Sequence, residues 1–207
     1  MRLLDLFCGA GGAGMGYHRA GFDVVGVDIN PQPHYPFEFH QADALEYLAA
    51  HGHEFDAIHA SPPCQAYSTA TRDASLHPDM YVRTRVLLES IGKPWAIENV
   101  PGAPYLSGGI LCGSMFSLKV RRHRNFETSF PVLFPDCAHG DERPYTITGS
   151  LSNTEQDYPH SLKPSRTDAI AFMGMSWATW QEVVQVIPPD YTEYIGGFLM
   201  THLEAMR

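Results

Sequence analysis

Basic charge is scarce in this chain: 14 lysines and arginines stand against 23 aspartates and glutamates, giving a net charge of −9 and a pI near 5.6. A broad cationic face, the usual footprint of nucleic-acid binders, is therefore not expected. A local basic stripe can still bind phosphates in a protein of negative net charge. Long apolar runs are also absent: none approaches the ~20 residues of a membrane-spanning helix, and Met1-Arg2-Leu3-Leu4-Asp5 does not read as a secretory signal. The four cysteines, Cys8, Cys64, Cys112 and Cys137, have no framework spacing, which excludes a disulfide scaffold and favours a reducing cytoplasm. There is no Gly-Lys-Ser/Thr phosphate loop, no spaced dinucleotide fingerprint, no internal repeat and no low-complexity tract. What remains is a 207-residue chain with 44% hydrophobic residues, enough to fold as one domain with a small appendage.

From residue 1 to about 115, strand-like and helix-like patterns alternate. They imply an α/β fold with a mostly parallel sheet and helices on both faces. Arg2–Phe7 reads as a buried strand that breaks into Cys8-Gly9-Ala10-Gly11-Gly12-Ala13-Gly14 and then a helix over Met15–Ala20. Glycines between strand and helix let the backbone approach a ligand closely. A second strand, Phe22–Val27, ends in Asp28, where a carboxylate can accept hydrogen bonds from ribose hydroxyls. Asp43 follows a third strand and precedes the helical stretch Ala44–Leu48. Pro31–Pro36 forms a rigid extended connection. Tyr81–Ile91 has helical periodicity, and Thr179–Val186 and Thr192–Leu203 read as closing helices. Turn formers crowd residues 128–166, which read as a small irregular lobe between catalytic segments 1–127 and 167–207.

Two segments carry chemistry. In Ser61-Pro62-Pro63-Cys64-Gln65, two proline rings fix φ and hold the preceding residues extended, so the Cys64 thiol is presented from a stiff turn just past the strand Phe55–Ala60. That suits a nucleophile meeting a flat substrate at a fixed angle; the alternative is a buried structural cysteine. In Trp95-Ala96-Ile97-Glu98-Asn99-Val100-Pro101, a short strand delivers a carboxylate and an amide at its C-terminal end. Glu98 there is a candidate acid/base group rather than a loop glutamate.

Together these residues resemble the DNA (cytosine-5)-methyltransferases that use S-adenosylmethionine. Asp5-Leu6-Phe7-Cys8-Gly9-Ala10-Gly11-Gly12 is similar to the family's first motif, Pro62-Pro63-Cys64-Gln65 to its nucleophile motif and Glu98-Asn99-Val100 to its glutamate motif. Arg122-His123-Arg124 resembles the Arg-x-Arg core of a later motif, with Val120 where a glutamine is usual. Ile187-Pro188-Pro189-x-Tyr191-x-x-Tyr194-Ile195-Gly196 resembles the last motif, with Gly197 where an asparagine is usual. The five motifs run in the family's order over residues 1–127 and about 165–203.

The resemblance implies a Rossmann-like methyltransferase fold and a methyl transfer from S-adenosylmethionine to cytosine C5 through a covalent bond from Cys64 to C6. It implies Glu98 at N3, Arg122 or Arg124 at O2, Asn99 supporting the glutamate or its loop, and Gln65 in a loop that closes over the base. For the cofactor it implies Asp5, Phe7, Cys8, Gly9, Gly11, Gly12, Asp28, Ile29, Asp43, Ala44, Pro62, Tyr194 and Gly196. Within that set Phe7 lies against the adenine, Asp28 holds the ribose and Asp43 the adenine amino group. The partner is DNA, duplex or single-stranded, met by a monomer in the cytoplasm of a bacterium or a phage-infected host, with no membrane. Such a small lobe implies short or relaxed sequence recognition, in a restriction-modification or phage-like setting. The phosphate-binding candidates are Arg72, Arg83, Arg85 and the run Lys119–Arg124. The same methylation of a free cytosine nucleotide, or a non-catalytic nucleic-acid or cofactor-binding module, stays open. Cys137-Ala138-His139, with Cys112, His123 and His160, offers zinc-type ligands, but the spacing fits no standard zinc pattern, so the sequence assigns no metal.

Overall fold

The computed structural model describes residues 1–64, 79–103, 108–141, 143–147 and 161–207. Five parallel strands form the body of a sheet: β1 (Arg2–Leu6), β2 (Asp23–Asp28), β3 (Glu38–Gln41), β4 (Ala57–Ala60) and β5 (Trp95–Asn99). An antiparallel pair, β6 (Gly108–Leu111) and β7 (Arg124–Thr128), completes it in the order β3-β2-β1-β4-β5-β7-β6. Among the described residues the α-helices are α1 (Gly12–Arg19), α2 (Ala44–His51), α3 (Met80–Ile91), α4 (Arg166–Phe172), α5 (Trp180–Val183) and α6 (Pro189–Ala205).

The sheet is covered on both faces, which explains why its central strands read as unbroken apolar runs. Successive side chains of a strand point to opposite faces. Leu3, Val24, Ala57, Ala96 and Phe126 share a cluster with Tyr17 of α1 and with Tyr191, Ile195, Leu199 and Leu203 of α6. Those four α6 residues recur every fourth position and so form one helical stripe. Leu4, Leu6, Val25, Val27, Ile58, Ala60 and Ile97 pack instead with Leu48 of α2 and with Tyr81 and Leu88 of α3. At ~1.5–3 kcal/mol for each large apolar side chain fully removed from water, these two layers dominate the stability.

Helices α1 and α6 meet closely. A Cβ built on Gly16 would sit 2.1 Å from both the Pro189 carbonyl oxygen and Thr192 Oγ1, and one on Gly196 would sit 2.6 Å from Ala20 Cβ. The Thr192 hydroxyl donates to the Ala13 carbonyl at 2.8 Å and locks the crossing.

Several expectations shift. Helix α1 begins at Gly12 rather than Met15, because Gly11 takes a left-handed conformation (φ 83°) as its N-cap and lets the glycine turn run straight into the helix. Helix α5 is a single turn, not Thr179–Val186; it is started by a capping box between Thr179 and Glu182. Strands β6 and β7 went unforeseen, since β6 opens on two glycines and β7 is mostly polar. Buried Glu127 of β7 is held by Tyr81 and, at 2.9 Å, by Arg85 of α3. Arg85 also pairs with Glu89 at 2.9 Å, so it is not the free phosphate ligand that the sequence suggested.

Residues 131–141 contain neither helix nor strand. Tyr145 bridges Val120 and Leu162. Val120, Ile147, Ala169, Met173, Met175 and Val183 then close a third, smaller cluster against Ala10 of the glycine turn.

Candidate active site

Strands β1, β2, β4 and β5 run parallel, so their C-terminal ends open on one edge, where α/β sheets bind ligands. A cleft of about 340 Å³ lies there, lined by Phe7, Cys8, Gly9, Asp28, Ile29, Ser61, Pro62, Cys64, Glu98, Asn99 and Arg124 among others. That volume suits a small-molecule ligand. A larger hollow of about 540 Å³ lies around Lys93, Pro94 and Ser129, beside the start of β5. It is at the wrong edge of the sheet and lacks the convergent reactive groups of the first.

Three groups meet in the cleft. Cys64 is half-buried beyond the two prolines. Burial pushes its thiol pKa up, the Glu98 carboxylate pushes it further, and the Arg124 and Arg122 guanidiniums pull it back. Glu98 is 7% exposed. Burial raises its pKa, against the charges of Arg124 and Arg122 and a hydrogen bond from Ser61. Arg124 Nε lies 2.9 Å from Glu98 Oε1. That oxygen has no well-directed hydrogen bond, so the contact is an ion pair. Buried Asn99 joins the two loops: its side-chain amide donates to the Pro62 carbonyl at 2.8 Å, and its carbonyl oxygen accepts from Val100 N at 2.9 Å. Asn99 thus holds the turn that carries the cysteine. Gln65 and Arg72 lie outside the described residues, as does the loop between them.

At the other end of the cleft, Asp28 Oδ2 accepts from Gly9 N at 3.1 Å and Oδ1 accepts from Asn30 N at 2.9 Å. Phe7 has φ 56°, a left-handed conformation that costs a non-glycine residue roughly 1–2 kcal/mol. Strain of this kind collects at ligand sites.

Other expected site residues lie elsewhere. Arg122 is not in the cleft: its guanidinium donates to the Ile147 and Val184 carbonyls at 2.9 and 2.8 Å, and burial lowers its pKa to about 9. Tyr191 donates to the Arg122 carbonyl at 2.7 Å, making Arg122 a clamp between segments. Gly12 and Gly196 are packing positions: a Cβ on Gly12 would lie 2.3 Å from the Ile187 carbonyl, and Gly196 faces α1. The Gly11 position abuts Tyr35 and Pro36. Tyr194 packs on Phe116 and Phe198 and donates to the Leu133 carbonyl. Ala44 is in the core. Asp43 caps α2, its Oδ1 accepting from Leu45 N and Glu46 N at 2.9 and 3.0 Å. The cleft is completed by Asn30, Gln32, Gln185 and Val186, loop residues with no distinguishing sequence pattern, and by Ile187, which opens the segment that resembles the family's last motif.

The basic run also changes character. Arg122 is half-buried with its guanidinium on two carbonyls and Arg124 faces Glu98, while Lys119 Nζ sits 4.8 Å from the Phe172 ring centroid and Arg121 donates to the Gly140 carbonyl at 2.6 Å. It is not the open phosphate-tracking stripe that its sequence suggested.

Asp5 is fully buried beneath the glycine turn rather than in the cleft. Tyr35 donates to its Oδ2 at 3.0 Å and Oδ1 has no partner, so burial pushes its pKa up to about 8. Sequence reasoning missed His59, also fully buried. Its Nδ1 lies 3.1 Å from Tyr17 Oη and its Nε2 2.9 Å from Ser61 Oγ, linking the core to Glu98 through Ser61. Burial takes its pKa down to about 3.

These two groups predict a pH profile. Asp5 contributes stability that is complete below its ordinary pKa of 3.8 and is lost as pH rises to about 8. His59 contributes stability present above its ordinary 6.5 and lost as pH falls toward about 3. Each slope is about 1.4 kcal/mol per pH unit, and the two oppose one another between 3.8 and 6.5. Urea midpoints should therefore form a plateau there and fall on either side. Asp5→Asn should flatten the alkaline fall and His59→Gln the acid one. An Asp5→Asn protein with an unchanged alkaline slope would locate the buried proton elsewhere.

Comparisons with known proteins agree with this architecture. The model of the C-5 cytosine-specific DNA methylases matches residues 1–103. The chain is 31% identical over 134 residues to the type II methyltransferase M.AgeI of Thalassovita gelatinovora, covering 56% of this chain and 31% of that protein. It is 32% identical over 117 residues to M.HgiGI of Herpetosiphon aurantiacus, covering 50% of this chain and 93% of that one. The fold superposes with a TM-score of 0.67 on a candidate DNA modification methyltransferase encoded within an E. coli prophage, at 16% identity and 99% coverage of both chains. The chain spans only about a third of the length of several curated relatives that it matches. With the glycine turn, the Pro-Pro-Cys turn and the Glu-Asn strand end gathered on one edge of the sheet, this chain belongs to the C-5 cytosine-specific DNA methylase family.

Proposed function

We propose that this chain methylates C5 of cytosine in DNA with S-adenosylmethionine as donor, through a covalent bond from Cys64 to C6 and with short or relaxed sequence recognition. The observation that carries the proposal is the meeting of Cys64, Glu98 and Arg124 in a cleft whose far end holds Asp28 and the glycine turn. That far end fits the cofactor: Phe7, Ile29 and Val186 offer apolar surface, and the Asp28 carboxylate is an acceptor for ribose hydroxyls. Bound there, S-adenosylmethionine supplies an electrophilic methyl group.

The chain's own residues do the rest. The Cys64 sulfur adds to C6, breaking the ring's aromaticity and making C5 enamine-like. Electron density moves toward N3 and O2. Glu98, whose pKa burial raises, is placed to share a proton with N3 as charge develops there, and Arg124 beside it offsets charge at O2. Once C5 carries the methyl group, its proton passes to a base, the Cys64–C6 bond breaks with its electrons returning to sulfur, and the aromatic ring is restored. Asn99 keeps the Pro62-Pro63-Cys64 turn in register with the Glu98 strand. Residues 128–166 take the place of a target-recognition domain, and that small size supports recognition of few bases.

One observation favours methylation of a free nucleotide instead: the Arg122 guanidinium is held by two carbonyls and Arg124 is paired, which leaves fewer cations in this run for tracking a strand. Radiolabelled methyl transfer to duplex DNA, single-stranded DNA and cytidine nucleotides, followed by nucleoside mass spectrometry, decides between them. We expect 5-methylcytosine in DNA. Product from the nucleotide alone would reverse the order, and cofactor binding without transfer to any substrate would leave a binding module.

Asp43 allows a separate test of the cofactor end. Asp43→Ala should cost ~1 kcal/mol through loss of the α2 cap. Asp43→Asn keeps a capping oxygen but removes the carboxylate. Calorimetry should show weaker S-adenosylmethionine binding in both variants if Asp43 meets the adenine. Unchanged affinity in Asp43→Asn would leave Asp43 with its cap alone.

A further inference from the structure

We propose that Cys112, His123, Cys137 and His139 form a tetrahedral zinc(II) site that pins the irregular segment 131–141 to the β6–β7 hairpin. The four come from three places: Cys112 just after β6, His123 just before β7, and Cys137 and His139 from the irregular segment. Their ligand atoms nevertheless all lie within 4.8 Å of one another. Cys112 Sγ is 3.4 Å from His139 Nε2, and Cys137 Sγ is 3.4 Å from His123 Nε2. A tetrahedral zinc with bonds of about 2.3 Å to sulfur and 2.0–2.1 Å to nitrogen places its ligand atoms ~3.3–3.8 Å apart. The cluster therefore needs only a slight contraction.

The donor set is selective. Two sulfurs and two imidazole nitrogens with no carboxylate suit zinc over magnesium, calcium or manganese. The Ser114 hydroxyl donates to Cys112 Sγ at 3.4 Å, the kind of outer contact that orients and stabilises a ligating thiolate. Two thiolates neutralise the dication, and binding releases their two protons.

The site also answers a structural need. Segment 131–141 has no regular secondary structure and is mostly exposed, with Val132 and Phe134 its only apolar side chains packed on the core among the described residues. So little apolar burial leaves the segment short of packing to hold it, a deficit that small metal sites commonly make up. Cys112 and His139 lie 27 residues apart in sequence, so a metal joining them closes a long loop. Because His123 lies between Arg122 and Arg124, the metal would also fix the strand entry that delivers Arg124 to the cleft.

The test reads metal, not methyl transfer, so it stands apart from the function proposed above. Protein purified without chelator is assayed for zinc by mass spectrometry, and chelator-stripped protein is titrated with cobalt(II). We expect one equivalent of zinc per chain in wild type and in Cys64→Ser. With cobalt(II) we expect the intense visible bands of a tetrahedral site and a thiolate charge-transfer band. Cys137→Ser/His139→Ala alters two exposed positions; it should keep its circular dichroism and lose both the zinc and the cobalt spectrum. Stripping should lower the melting temperature of wild type but not of the double variant. Substoichiometric zinc with no thiolate–cobalt band would overturn the site, as would a Cys112–Cys137 disulfide found by mass spectrometry of protein purified under reducing conditions.

Discussion

DNA carrying 5-fluorocytosine in the recognised context should become covalently attached to the protein through Cys64, and Cys64→Ser should form no adduct. Fluorine cannot leave C5 as a proton does, so once methylation has occurred the sulfur–C6 bond has no route to elimination. Turnover on ordinary DNA should fall by roughly 10⁴–10⁶-fold in Cys64→Ser, the scale seen when a catalytic nucleophile is removed. Cofactor affinity should change little, since Asp28 and the glycine turn are untouched. Peptide mass spectrometry of the trapped complex names the residue. An adduct on Cys8 is not expected, because that thiol is buried and its pKa is driven up by burial and by the Asp5 and Asp28 charges. An adduct that persists in Cys64→Ser would remove the proposed nucleophile.

Glu98→Gln should lower turnover by roughly 10²–10⁴-fold, the usual contribution of a general acid or base. It should also move the Cys64 thiol in the opposite sense to a simple loss of function. The Glu98 carboxylate raises the Cys64 pKa, and Arg124, now facing Glu98, lowers it. The amide removes the first influence and frees the second. Iodoacetamide should therefore alkylate Cys64 at lower pH in Glu98→Gln than in wild type, even as methyl transfer collapses. The pairing of a more reactive thiol with a slower enzyme would show that Glu98 acts on the base rather than by activating the cysteine. An alkylation profile that shifts upward, or does not shift, would contradict the coupling.

What the sequence made legible follows physical lines. Strands β1, β2, β4 and β5 are buried on both faces, so their apolar runs stand out in one dimension. Strand β7 escaped because its buried members, Phe126 and Glu127, adjoin a run that reads as solvated charge. Cys64 and Glu98 were visible because rigid or strand-ending neighbours fix their placement locally. Arg122 and Arg124 could not be told apart from sequence, since only the tertiary fold decides which guanidinium meets carbonyls and which meets Glu98. Tyr194 and Gly196 share a helix whose inward face packs on α1, a fact that a motif does not carry. Gln185 and Val186 reach the cleft by chain routing alone. The cysteine–histidine cluster eluded spacing rules because its ligands come from separate loops.

The close crossing of α1 and α6 bears on when this protein can first act. The glycine turn reaches its final shape only with Ile187, Pro189 and Thr192 seated against Gly12, Gly16 and Ala13. A nascent chain still emerging from the ribosome already carries Cys64 and Glu98, yet it lacks the helix that completes the neighbouring pocket. The cleft is therefore incomplete until α6 has been made and seated, so a fragment ending before Ile187 would carry the proposed nucleophile without a finished pocket beside it.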